Sequence, residues 1–277
     1  MDQPLTELGL ASDVLVWHAV VLTVVSLGVG VLGGFVGLAL GTMRLPALLL
    51  IGVAAPTAGG TNILISGLSA LTGAVRHLRE GRVDTRLVLV MGIPAVVGAF
   101  IGGFASEDVP ESLLLSLAGA LVFWQGIELI IRVRTGKGRA GSATDTLGGI
   151  PGSFTPTRVA AEGAIGMAVG LVGGAVGLIL GSIRLPAMIR VLRVDPRIAA
   201  GTNLFIGFVM GAVGWIGHAV QGQVDYPLLV LMGSGGMVGS YYGAKLTGRV
   251  SLDALLGTMG WVLLAVGALL VWRGFAS

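Results

Sequence analysis

The chain has 277 residues, of which 54% are hydrophobic and 11% charged, with 48 glycines, no cysteine and a formal net charge of +3. A soluble domain carries about a quarter charged residues, so this composition excludes one, and the lack of cysteine excludes disulfides, thiolate nucleophiles and cysteine-based metal sites. The pI near 9.8 does not point to nucleic acid, because the basic residues sit in short loops between apolar segments, the positive-inside pattern of a polytopic membrane protein.

In chain order, the residues before the first apolar run include Asp2, Glu7 and Asp13 and no lysine or arginine, which does not match the basic start of a cleaved signal peptide. The first span is therefore expected to be retained. Apolar runs lie at Val14–Leu40, Leu87–Ala105, Leu113–Ile131, Val159–Ile183, Pro227–Ala244 and Leu252–Trp272, each close to the roughly 17 to 25 residues a spanning helix needs. Two further segments, Thr57–Val75 and Ile198–Ile216, are richer in small and polar residues, as helices inside a bundle often are.

The chain is one unit written twice. Displaced by 140 residues, Gly30, Gly33, Gly34, Gly37, Leu40, Gly41, Arg44, Leu45, Pro46 and Ala47 match Gly170, Gly173, Gly174, Gly177, Leu180, Gly181, Arg184, Leu185, Pro186 and Ala187. After one inserted residue, Gly60, Thr61, Asn62, Gly73, His77, Gly81, Val83, Asp84, Met91 and Gly92 match Gly201, Thr202, Asn203, Gly214, His218, Gly222, Val224, Asp225, Met232 and Gly233. The organisation expected is a single membrane domain over 1–277, with a first repeat at 14–133, a polar linker at 134–157 and a second repeat at 158–274.

Loop charge sets the orientation. The loop Arg76–Arg86 carries four arginines, whereas its counterpart Gly217–Pro227 carries no lysine or arginine; conversely Lys245 and Arg249 correspond to a loop with only Glu107, Asp108 and Glu111. Equivalent loops are thus expected on opposite sides of the membrane, which makes the repeat an inverted one with a cytoplasmic linker. Inversion needs an odd number of crossings per repeat. The fifth element is the short apolar piece after each Arg-Leu-Pro, Leu45–Ala55 and Leu185–Val194, too short to span comfortably at about 1.5 Å per residue. The fold class expected is all-α and polytopic, an inverted repeat of two helical halves with about 8–10 transmembrane segments and a short broken helix after each Arg-Leu-Pro.

An arginine at the bilayer centre costs about 2.5 to 3.5 kcal/mol on insertion scales and normally faces a cavity, a partner or a substrate path. Arg44 and Arg184 recur at one place in both copies, and a guanidinium offers a planar fork of donors suited to an oxyanion. Pro46 and Pro186 can occupy a first helical turn, so a helix starting there would aim its positive end at the same spot. Thr61, Asn62, Thr202 and Asn203 could add neutral donors, and Gly41 and Gly181 read equally well as packing glycines or as backbone exposed to ligand. The alternative for the arginines is interfacial snorkelling. His77 and His218 are matched and could relay protons, or be merely interfacial. Asp84 and Asp225 suit helix N-caps. No HExxH, GxSxG or Walker A lysine is present, so neither an enzyme nor a bound metal or cofactor is implied.

The doubled glycine-rich run ending in proline, the Gly-Thr-Asn element, the Gly-x-Val-Asp signature at Gly81–Asp84 and Gly222–Asp225, and the later Gly-x3-Gly helix resemble the TauE/SafE sulfite exporter family over roughly Val20–Gly274. The family run usually reads Gly-x-Gly-Gly-Gly before the apolar residues and proline; here it is Gly37-Leu-Ala-Leu-Gly41-Thr-Met-Arg44. The resemblance implies a multi-pass transporter of the bacterial cytoplasmic (inner) membrane that exports sulfite or a related organosulfur anion. Its partners would be that small anion and the lipid bilayer, with no nucleic acid and with room for a homo-oligomer. The expected function is secondary transport by alternating access around a central anion site; an anion channel with arginine-lined constrictions is the alternative, and a membrane scaffold without transport a third.

Overall fold

The computed structural model of the chain describes residues 3–36, 41–135, 156–192, 194–246 and 252–276. Most of the linker expected at 134–157, and Gly37–Leu40 at the end of the first glycine-rich run, lie outside those residues. Among the described residues the chain is helical and contains no strand.

The first half consists of α1 (Val16–Val36), a short α2 (Gly41–Leu50), α3 (Ala55–Arg79), α4 (Thr85–Leu87), which runs through a π turn into α5 (Ile93–Phe104), and α6 (Glu111–Arg134). The second half repeats this order as α7 (Pro156–Val176), a short α8 (Gly181–Pro186) extended by a π turn, α9 (Pro196–Val220), α10 (Tyr226–Leu246) and α11 (Leu252–Ala276). Matched elements start at residues 16 and 156, 41 and 181, 55 and 196, 85 and 226, and 111 and 252, so the displacement read in the sequence is also the displacement of the fold. Six helices among the described residues are long and apolar enough to cross a membrane, and α1 and α10 contain the shorter apolar stretches Val16–Leu32 and Tyr226–Gly239. Their outward faces expose Val20, Val24, Leu89, Ile93, Val230, Tyr241, Trp261 and Trp272, an apolar surface of the kind that a lipid bilayer covers.

The Gly-x-Val-Asp signature has a local physical meaning. Gly81 and Gly222 turn the chain in the left-handed region, at φ 68° and 70°, where an L side chain is disfavoured. Asp84 then accepts the Leu87 N–H at 3.1 Å and Asp225 the Leu228 N–H at 2.9 Å, capping the next helix in each half as its residue type suggests.

The two short helices begin earlier than expected. They start at Gly41 and Gly181, three residues before each arginine, and Pro46 and Pro186 lie inside them. A proline at this depth removes one intrahelical N–H. That loss is tolerated because the glycines let the helix start against its neighbour: a Cβ at Gly41 would meet Ser66 and Asn62 of α3, and one at Gly181 would meet Asn203 of α9.

The most extensive helix contacts all join the two halves: α1 with α10, α5 with α7, α3 with α9 and α6 with α11. Small residues bring these backbones together, as expected for helices that gain nothing from burial against lipid. Along α3, Gly60 meets His218, Gly67 meets Gly211, and His77 meets Gly201, so the matched helices α3 and α9 run antiparallel. The matched pair α6 and α11 does the same, with Ser116 against Gly274, Phe123 against Gly267 and Ile130 against Gly260. The unmatched pairs are parallel: Thr23 and Leu27 of α1 meet Gly235 and Gly239 of α10, and Met91, Ala95 and Ala99 meet Gly166, Gly170 and Gly174 of α7. Neither half has an interior of its own.

One ionic cluster lacks a matched copy. Glu162 of α7 is fully buried, accepts from Arg86 at 3.1 Å and from Arg158 at 3.0 Å, and Arg158 also donates to the Leu192 carbonyl at 2.7 Å. The corresponding residues of the other half are Leu22, Pro227 and His18.

Candidate functional site

Arg44 and Arg184 are 1% and 0% exposed, the largest fully buried side chains of the described residues. Each reaches the middle of its long neighbour. Arg44 Nη2 lies 3.4 Å from Ser69 Oγ on α3, and Arg184 Nη1 lies 2.7 Å from Met210 Sδ on α9. Ser69 and Met210 are matched positions, next to the Gly67–Gly211 crossing and well inside helices of 25 residues. A guanidinium at that depth is not snorkelling to a headgroup, because snorkelling needs a helix end.

The two arginines are held differently. Arg184 Nε donates to Asn203 Oδ1 at 2.8 Å and its Nη2 to the Asn203 carbonyl at 2.8 Å, so with Met210 each of its nitrogens has a partner. Arg44 has only the long Ser69 contact; its Nε and Nη1 have no hydrogen-bond partner among the described residues. Thr42 Oγ1, Asn62 Oδ1 and Ser66 Oγ are buried in the same condition. An unmet buried donor or acceptor costs about 1–3 kcal/mol, more when charged, so one charged and three neutral groups left this way on α2 and α3 mark a candidate site. Gly41 packs directly on Asn62 and Ser66, and Gly236 of α10 lies against Ser26 and near Arg44 Nη1, so a side chain at either position would crowd the groups around the guanidinium.

Of the residues singled out in the sequence, the structure brings Arg184, Gly181 and Asn203 together in the second half, and in the first half sets Gly41 against Asn62, with Arg44 one turn further along α2 and in contact with Ser69. It does not bring the threonines to them. Thr61 Oγ1 accepts the Asp225 N–H at 3.0 Å, and Thr202 Oγ1 accepts the Asp84 N–H at 2.9 Å, so both hydroxyls fasten one half to the other. Asn62 reaches across the halves as well, donating to the Gly177 carbonyl at 2.9 Å. His218 is fully buried within a hydrogen-bonded group at the far end of α9, whereas His77 is partly exposed at the arginine-rich loop. The sequence reading missed Thr42, Ser66 and Ser69. Their signal was available: Asn62, Ser66 and Ser69 form a polar stripe at helical spacing, and the matched stripe of α9 reads Asn203, Gly207 and Met210.

The arrangement can bind a small anion by a charged fork and neutral donors in a water-poor place. Comparison with known proteins bears on what such a site serves. A family model described as sulfite exporter TauE/SafE matches residues 22–270. The probable membrane transporter protein YdhB of Bacillus subtilis (strain 168) is 31% identical over 220 residues, 79% of this chain and 86% of YdhB. The probable membrane transporter protein YunE of the same organism is 24% identical over 270 residues, 93% of this chain and 99% of YunE. A probable membrane transporter protein of Xylella fastidiosa (strain 9a5c) is 27% identical over 257 residues, 88% and 94% of the two chains. No solved structure matches at a significant level. The matched span takes in both buried arginines and all the helices that pack around them, and the chain belongs to the sulfite exporter TauE/SafE family.

Proposed function

We propose that this chain is a secondary carrier of the bacterial inner membrane that exports a small sulfur-containing oxyanion or sulfonate such as sulfite, bound at Arg44. The observation that carries the reading is the unmet hydrogen-bonding capacity of Arg44 at mid-height of the bundle, on the same two helices as the unmet Thr42, Asn62 and Ser66. A sulfur oxyanion supplies what is missing: negative charge and several acceptor oxygens spaced for a guanidinium fork. Arg184, held by Asn203, is the equivalent group in its closed state. The family description, sulfite exporter, agrees with the chemistry of the site.

An inverted repeat is supported by the antiparallel packing of matched helices and the parallel packing of unmatched ones. A two-fold axis lying in the membrane plane produces this pattern, and carriers built so place their site near the bilayer midplane. The moving bodies, however, are not the two sequence repeats. Separating those would open all four main helix contacts, so the bodies that rock mix helices of both halves, with α3 and α9 sliding at their glycine crossing.

The test is uptake of radiolabelled sulfite into proteoliposomes. A carrier gives saturable uptake that is accelerated by unlabelled sulfite on the other side; a channel gives neither saturation in that range nor counterflow.

A further inference from the structure

Around His218 three helix ends leave a space that the imidazole fills. A Cβ at Gly60 of α3 would come within 2.7 Å of His218 Cβ, and one at Gly103 of α5 within 3.0 Å of its ring; the third side is the end of α7. His218 Nε2 lies 2.8 Å from the Gly174 carbonyl, and a carbonyl only accepts, so Nε2 carries hydrogen. Nδ1 faces Gln223 Oε1 at 3.0 Å and Ser106 Oγ at 3.2 Å. Ser106 has one hydroxyl hydrogen for Gln223 Oε1 at 2.6 Å and the Gly103 carbonyl at 2.8 Å. The Gln223 amide nitrogen has no partner among the described residues.

In this arrangement the group holds one hydrogen too few for a neutral ring. A proton on Nδ1 completes it, as an imidazolium donates at both nitrogens. With the ring neutral, the Gln223 amide turns over and donates to Nδ1. The cage therefore accommodates both protonation states through one amide turn. Among the described residues no charged side chain bonds to the ring. The packed elements bring Glu107, exposed beyond α5, and Asp225, whose carboxylate holds Ser12 at 2.6 Å and caps α10.

A short hydrogen-bonded path leads from the proton site to Asn62, on the helix that Arg44 contacts. The Gly174 carbonyl that takes the His218 hydrogen also takes the Gly177 N–H at 3.1 Å. Gly177 holds the break after α7 at φ 77°, and its own carbonyl takes the Asn62 amide at 2.9 Å. Asn62 Oδ1 is itself unmet, and Asn62 lies against Gly41, one turn before Arg44 on α2.

Resting on the anion-carrier reading, we infer that His218 is the proton-binding site that couples anion movement to a proton gradient, through Gln223, the Gly174–Gly177 break and Asn62. Coupling of this kind is reciprocal: bound anion changes proton affinity at His218 by the same factor that the proton changes anion affinity.

The experiment uses the full chain in proteoliposomes, with radiolabelled sulfite as probe, external pH fixed so that its speciation is constant, the membrane potential clamped, and internal pH varied. With one proton moved per anion, the accumulation ratio changes about tenfold per unit of pH gradient. That response is lost in His218→Gln and retained in His77→Gln. A second measurement on the unaltered protein needs no variant: calorimetry of sulfite binding in two buffers of different ionisation enthalpy, where net proton exchange on binding is expected. Uptake that ignores the gradient, a response that survives His218→Gln, or binding without proton exchange overturns the coupling site and leaves the carrier standing. Absence of any saturable sulfite uptake overturns the carrier reading and the coupling site with it.

Discussion

Thr61 accepts the backbone N–H of Asp225 at 3.0 Å, and the same bond is made in reverse by its counterparts Thr202 and Asp84 at 2.9 Å. Replacing either threonine by valine keeps the volume and leaves one N–H at a helix start without its acceptor. Each change is expected to cost about 1–3 kcal/mol, read as a lower melting temperature in detergent. Because the hydroxyls lie away from Arg44, anion affinity of the folded fraction should not change.

The crossing of α3 over α9 predicts a contrast between glycines. A Cβ at Gly211 would lie 2.6 Å from Gly67 Cα, whereas one at Gly28 or Gly233 meets nothing within 4 Å. Gly211→Ala is expected to destabilise by about 1–3 kcal/mol through overpacking. Gly28→Ala and Gly233→Ala should be neutral or slightly stabilising, since alanine is the better helix former. Melting curves of the three variants side by side check this.

Glu162 balances Arg86 and Arg158 from a fully buried position. Glu162→Leu, which copies the residue at the matched position 22, leaves two guanidinium groups facing an apolar surface. The expected cost is about 3 kcal/mol, the lower end for breaking a buried pair because both arginines keep some solvent contact. Chemical-denaturant or thermal unfolding measures it.

Much of this was legible from residues because the information is redundant. Two copies of one pattern fixed the repeat, and the matched helix starts follow it at all five elements. Asp84 and Asp225 were readable as caps because the cap depends on local sequence alone. For Arg44 and Arg184 the apolar surroundings left two readings, an intramembrane site or interfacial snorkelling, and their burial favours the first. The start of the short helices did not, because proline's preference for a first turn is weaker than the close approach that Gly41 and Gly181 permit to α3 and α9. The roles of the threonines, of Glu162 and of the serines of α3 depend on partners more than a hundred residues away, or on a neighbouring helix whose register no local pattern supplies. The difference between the arginines was written in Ser66 and Ser69 against Gly207 and Met210, but it acquires meaning only once α2 and α8 are seen to lie on those stripes.

In this conformation Arg44, and not Arg184, is expected to offer unpaired guanidinium nitrogens to an anion. The most direct measurement is the melting temperature of the detergent-purified protein against rising sulfite, sulfate, thiosulfate and methanesulfonate, for the wild type, Arg44→Gln and Arg184→Gln. A ligand bound only by the folded state stabilises it by RT ln(1 + [L]/Kd), about 2.7 kcal/mol at a hundredfold excess over Kd. One sulfur anion is expected to raise the wild-type melt, and Arg44→Gln to abolish the rise with little loss of intrinsic stability. Arg184→Gln is predicted to lower the melt without anion and to keep the rise. A rise that survives Arg44→Gln, or a wild type that no sulfur anion stabilises, would contradict an anion site at Arg44.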